Sequence, residues 1–150
     1  MWYSKITKDL SEIPNFISYY EKELENHKKF VGINGNLEQN MARLPGQTET
    51  VFNSLQEIEA ILNFMNIQLR KIKQTHYKQY LEGYNRALTS RDAEKYSDSE
   101  SSVIEYELLI NEVARIRNLY LGIMKGLETK SFMVGHITRI RAAGLENISI

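Results

Sequence analysis

Apolar residues recur along this chain in steps of three and four, and no stretch alternates with period two over the length of a strand. That periodicity predicts an all-α protein. The first stripe is Ile13, Phe16, Ile17, Tyr20, Leu24, His27 and Val31. It predicts a helix capped by Ser11 with Pro14 in its first turn, ending near Gly32, where GINGN supplies two glycines and two asparagines. A short helical piece follows from Leu37 to Arg43, and Leu44-Pro45-Gly46 then predicts a turn.

Thr48 or Thr50 is the expected cap of the longest helix. Its seam, Val51, Leu55, Ile58, Leu62, Met65, Leu69, Ile72 and His76, alternates four and three like a coiled-coil or hairpin interface. Helical propensity continues to about Leu88, a rod of roughly 60 Å at 1.5 Å per residue. The polar segment TSRDAEKYSDSESS then supplies the turn of a hairpin, with room for a short helix inside it. Ser99 or Ser101 caps the return helix, whose seam is Tyr106, Leu109, Val113, Ile116, Tyr120, Ile123 and Leu127. The register runs on through Val134, Ile137 and Arg141 to a stop at Gly144, and a hinge at 129–131 is equally compatible. The predicted fold is a long antiparallel helical hairpin, coiled-coil-like. An N-terminal helical segment covers 1–46 and the hairpin, with its C-terminal oligomerisation helix, covers 47–150.

The second helix is apolar over more than one seam, because Leu108, Ile110, Leu119, Leu121, Met124, Phe132, Met133 and Ile140 widen its face. The N-terminal helix covers part of that excess, and the remainder predicts a homo-oligomer interface. The residues expected to build it are Tyr120, Ile123, Met124, Leu127, Phe132, Ile137 and Ile140.

Composition narrows the function. The chain has 150 residues, no net charge and no cysteine, which removes thiol chemistry and fits a reducing compartment. MWYSKITKDL has no charged-then-apolar leader, so no signal peptide is expected. No apolar run reaches the roughly 18 residues of a spanning helix, so no membrane partner is expected either. The expected location is cytoplasmic.

Charge is balanced overall but segregated locally. Residues 70–91 hold six bases (Arg70, Lys71, Lys73, Lys78, Arg86, Arg91) against Glu82, together with Tyr77, Tyr80 and Tyr84. Residues 92–112 hold seven acids against Lys95, and 115–141 hold six bases against Glu128. One reading pairs the acidic block with the basic one across the hairpin, which sets its register. The other gives the basic block a phosphate backbone as partner, since Lys71 and Lys78 point away from the seam while Arg70, Lys73, Tyr77 and Tyr84 flank it. Tyrosines among cations can also stack on unpaired bases, worth about 1–3 kcal/mol each. The candidate single-stranded-DNA contacts are therefore Arg70, Lys71, Lys73, Tyr77, Lys78, Tyr80, Tyr84, Arg86 and Arg91.

Catalytic patterns are lacking. His27 and His76 fall in apolar seams and read as packed residues, and His136 stands alone. There is no HExxH, CxxC, GxSxG or phosphate-loop motif. Glu57 and Glu59, like Glu105 and Glu107, are two apart and diverge on a helix. No metal, cofactor or enzymatic activity is expected.

Two stretches, HYKQYLEGYNR at 76–86 and GLETKSFMVGHITRIRAAG at 126–144, resemble the UvsY-type recombination mediators of T-even-like tailed phages. The first resembles that family's basic, aromatic stretch before a polar turn. The second resembles its closing amphipathic segment. The resemblance covers about half the chain, from Lys71 to Gly144, and the first forty-five or so residues have no counterpart in it. It implies a hexameric or heptameric ring built through the C-terminal helix, and binding of single-stranded DNA. It also implies two protein partners, the phage recombinase and the phage single-strand binding protein, and a location in the host cytoplasm. The family's Lys-x-Arg contact falls on Lys78 and Tyr80, so the lysine matches and the arginine does not; Lys71, Lys73 and Arg86 are the nearby replacements for that charge. Two other kinds of protein fit the same pattern. One is a structural or adaptor protein, such as a phage assembly or virion component, that binds protein and no nucleic acid. The other is an antitoxin-like or chaperone-like coiled coil.

Overall fold

The structure is a computed structural model that describes residues 1–83 and 87–145. Every element among them is helical. They are α1 (Trp2–Ile6), a 3-10 turn (Leu10–Glu12), α2 (Ile13–Lys28), a second 3-10 turn (Lys29–Val31), α3 (Leu37–Gly83), α4 (Ser90–Asp98) and α5 (Ser101–Ala142). The chain divides into two compact units. Unit 1 comprises Met1–Ile17 with Glu57–Ile116, and unit 2 comprises Ser18–Gln56 with Arg117–Ile150.

Unit 1 is cored by Ile6, Ile13, Phe16, Ile58, Ile61, Met65, Val103, Val113 and Ile116, all buried. Its N-terminal piece, α1, has no counterpart in the stripes read above. Aromatic contacts and a hydrogen bond to Glu57 are among those that hold it. Trp2 meets Phe16 edge-on at 6.0 Å, Tyr3 meets Phe64 at 6.3 Å, and the Tyr3 amide donates to Glu57 at 3.1 Å. Ser11 is not the cap of the following helix. The Asp9 carboxylate takes that role two residues earlier, accepting from the Ser11 amide at 2.9 Å and opening a 3-10 turn that runs into α2. Pro14 does sit in the first turn of α2, where its missing N–H costs nothing.

Unit 2 is centred on Tyr120, which is fully buried. Tyr20 packs edge-on against it at 5.7 Å and His27 at 5.6 Å, and the His27 Nδ1 lies 3.1 Å from the Tyr120 hydroxyl. His27 is thus a packed core residue, as its place in the stripe predicts. Burial pushes the Tyr120 phenol up, with the Glu23 carboxylate adding to the effect. Gly126 brings α5 against Val31 so closely that a Cβ there would stand 2.8 Å from the valine Cγ1. That contact requires a residue without a side chain.

The turn expected at Leu44-Pro45-Gly46 does not occur. Residues 37–43 are instead the start of α3, which continues through Pro45. A proline there removes one backbone hydrogen bond and crowds the preceding turn, costing about 3 kcal/mol. Contacts on either side offset that cost. Upstream, Asn36 Oδ1 accepts from the Glu38 amide at 2.8 Å, and the buried Asn40 donates to the carbonyls of Asn34 and Asn36 at 2.8 Å each. Downstream, Val51 and Leu55 are buried. Thr48 and Thr50 are consequently mid-helix residues and not caps. Their hydroxyls donate back to the carbonyls of Leu44 and Gly46 at 2.9 and 2.8 Å.

The other end of α3 also differs. The helix is described as far as Gly83, and 87–89, which include Leu88, are not helical. Thr89 starts α4 instead. The run of α5 to Ala142, with Gly144 at φ 68°, matches the expected stop, and no hinge interrupts 129–131.

Burial holds the His27 imidazole below its ordinary 6.5, and Glu23 only partly opposes this. The unfolded chain therefore binds the histidine proton more readily than the folded one, so stability should be lost as pH falls below about 6.5. Thermal midpoints between pH 7.5 and 5.5 should decline in the wild type and show a flatter slope in His27→Gln. Parallel slopes would exclude His27 as the source.

Candidate nucleic-acid interface

The candidate contacts among the described residues lie in unit 1, on the last turns of α3 and on α4. The α3 seam weakens as it approaches this region. Met65 is fully buried, whereas Leu69, Ile72 and His76 are half-buried. The register turns Lys71, Gln74 and Lys78 outward, all exposed, on the same face as the exposed Ile67 and Leu81.

Across from it, α4 begins where the Thr89 hydroxyl accepts from the Asp92 amide at 3.2 Å and donates to the Asp92 carboxylate at 2.6 Å. This reciprocal cap stabilises a helix of nine residues that would be marginal alone. Its Ala93 and Ser97 are buried, and the Ser97 hydroxyl donates to the Lys73 carbonyl at 2.8 Å.

Lys73 is the most constrained cation of the group. Its ammonium lies 2.8 Å from Glu107 and 3.0 Å from Asp98. Hydrogen bonds to those two carboxylates, the Glu107 one foremost, hold it above its ordinary value. The pairing of acidic and basic blocks is thus real at Lys73. Nearby, the Tyr80 hydroxyl donates to Glu100, and the His76 Nε2 lies 3.0 Å from the Ser102 hydroxyl. The Tyr80 ring also stacks on Tyr96, centroids 5.3 Å apart and 27° between planes.

Lys73, Tyr77 and Arg91 come together around one groove of about 510 Å³, which Gln74, Glu94, Ser97 and Asp98 also line. The two acids balance the two cations there. Arg70, Lys71 and Lys78 lie outside the groove and are exposed; like Arg91, they form no ion pair among the described residues. Tyr84 and Arg86 lie outside the described residues. Tyr96 and Lys95 were not singled out in the sequence, yet they border a second concavity of about 340 Å³ with Asp92 and Ser99. The threonine-to-aspartate spacing at 89–92, followed by Ala93, Tyr96 and Ser97 at helical intervals, is the signal that marks them.

The expected interface residues of α5 divide in two. Tyr120, Ile123 and Leu127 are buried within unit 2, so the chain itself already covers their apolar area. Met124, Ile137 and Ile140 are half-buried, and Phe132 is 79% exposed.

Comparison with protein families, with curated proteins and with solved structures finds no match for this chain. Among the described residues no three His, Asp or Glu side chains gather as metal ligands, and no helix is long and apolar enough to cross a membrane.

Replacing Lys73 leaves Asp98 and Glu107 without their shared cation. Because all three side chains are a third or more exposed, solvent screening limits the effect. Lys73→Ala should lower unfolding stability by about 0.5–1 kcal/mol in urea titrations. A change indistinguishable from zero would show the triad to be electrostatically idle.

Proposed function

We propose that this chain is a single-stranded-DNA-binding recombination mediator that loads a recombinase onto DNA and acts as a homo-oligomer. The observation that carries the reading is the contrast among its cations. Lys73 is matched by two carboxylates, whereas Arg70, Lys71 and Lys78 project into solvent with no carboxylate among the described residues. Exposed cations along one helix are suited to phosphates spaced along a strand. The stacked pair of Tyr80 and the nearly half-exposed Tyr96 supplies an aromatic platform beside them. Tyr77 and Arg91 edge the adjoining groove. The resemblance of 76–86 and 126–144 to UvsY-type mediators agrees with this use and suggests the recombinase and the single-strand binding protein as partners.

The architecture in this proposal is an antiparallel hairpin of α3 and α5. The pairings Lys73 with Glu107, His76 with Ser102 and Tyr80 with Glu100 favour it, because one partner's number rises as the other's falls.

Fluorescence polarisation with an oligo-dT probe tests the contact. Arg70→Ala, Lys71→Ala and Lys78→Ala combined should weaken binding and reduce the slope of log K against log salt by roughly two. Lys73→Ala should change it much less. Unchanged affinity in the triple variant would remove the proposed interface.

A second reading is favoured by exposed apolar side chains on α5, Ile104, Leu108, Leu121 and Phe132. These suit an adaptor or assembly protein that docks protein partners. Oligo-dT binding too weak to measure even at low salt would favour that reading. Self-association through Phe132 predicts an oligomeric mass by light scattering that Phe132→Glu lowers to the monomer. A monomeric wild type at micromolar concentration would overturn it.

A further inference from the structure

Unit 2 holds a cationic arrangement of a different kind. Lys130, on α5, is only 4% exposed, and lysines so buried are ordinarily matched by a carboxylate. Here the Nζ donates to the Phe30 carbonyl at 2.7 Å and forms no ion pair among the described residues. An ammonium has three donors, so two are left over. Burial, with no acid to oppose it, holds this ammonium below its ordinary value.

Lys130 also lines a cavity of about 150 Å³. Its lining comprises three cations, four amide side chains and one glycine, with no carboxylate. Lys29 comes from the turn after α2, Arg43 from α3 and Lys130 from α5, and the first two also lack an ion pair among the described residues. Gln47 Oε1 is buried there without a hydrogen-bond partner. Turning that amide over would direct its NH₂ where the oxygen now stands. The walls are fixed in advance, because Asn40 ties the 34–36 loop to α3 through its two hydrogen bonds. A lysine needed only to anchor the Phe30 carbonyl would not require two more unpaired cations around the same space.

We propose that this cavity binds one phosphate group, with Lys130, Arg43 and Lys29 as its charged ligands and Gln47 as a neutral donor. A tetrahedral dianion supplies acceptors in several directions to donors converging from three elements, and it neutralises the buried ammonium. The volume lies below the roughly 300 Å³ at which pockets for larger ligands begin, so a phosphoryl group fits and a nucleoside does not. Its source is either free inorganic phosphate or the terminal phosphate of a larger molecule. The site shares no residue with the cation stripe of unit 1 and does not depend on the DNA-binding proposal.

Calorimetric titration of the full chain decides it, with ionic strength held constant by chloride. Inorganic phosphate should bind with one-to-one stoichiometry and raise the thermal midpoint. Lys130→Met and Arg43→Gln should each weaken it by about tenfold or more, the loss expected of a charge-assisted hydrogen bond. Arg43 is exposed, so its variant decides the matter if Lys130→Met fails to fold. A thymidine oligonucleotide with and without a 5′-phosphate separates the sources. Tighter binding of the phosphorylated form, competed by phosphate, assigns the site to chain ends; equal binding assigns it to the free ion. The Arg70, Lys71 and Lys78 triple variant should keep its phosphate affinity. Absence of a phosphate-specific signal in the wild type, or affinity unchanged in both variants, overturns the proposal.

Discussion

The Lys73 ammonium, held between Asp98 and Glu107, is the interaction on which the reading of unit 1 depends. It joins three helices at one point, since Lys73 belongs to α3, Asp98 to α4 and Glu107 to α5. With Ser97 bonded to the Lys73 carbonyl, the same residue is held through its backbone and its side chain. The pairing also settles how charge is shared out. Asp98 and Glu107 are used at Lys73 and Glu100 at Tyr80, while Arg70, Lys71 and Lys78 form no ion pair among the described residues.

Much of this arrangement was legible in the sequence. The three-and-four spacing identifies the buried faces of α3 and α5, because a helix that must hide apolar area has to repeat near its own turn. The α5 stop at Gly144 was legible for a related reason, as a positive φ there suits glycine. The errors have physical causes too. Pro45 is a strong local breaker, but hydrogen bonds upstream and burial downstream of it outweigh the cost of one lost hydrogen bond and a crowded turn. Ser11 lost the cap to Asp9, since either short polar side chain can satisfy free amides and only the tertiary path chooses between them. The α1 helix is too short for periodicity to register, and aromatic contacts with residues far along the chain hold it.

The candidate site was legible in composition and not in geometry. The sequence places cations and tyrosines on 70–91 but does not say that Tyr80 is engaged by Tyr96, or that Lys73 is neutralised while Lys71 is not. Those outcomes depend on a helix, α4, that reads mainly as polar loop. Lys130 was hidden more deeply. It falls in the buried seam of α5, at a position where a charged side chain looks like a gap in the apolar pattern, and the residues around it come from segments about a hundred positions away.

The chain has a single tryptophan, and it lies in unit 1, where its ring rests against Phe16 with the Lys5 ammonium 4.7 Å above it. Intrinsic emission excited at the red edge therefore reports on the surroundings of one residue, beside Phe16 and Lys5. Agreement between emission and far-ultraviolet dichroism, which samples every helix, thus becomes a direct measure of whether the chain behaves as one cooperative body.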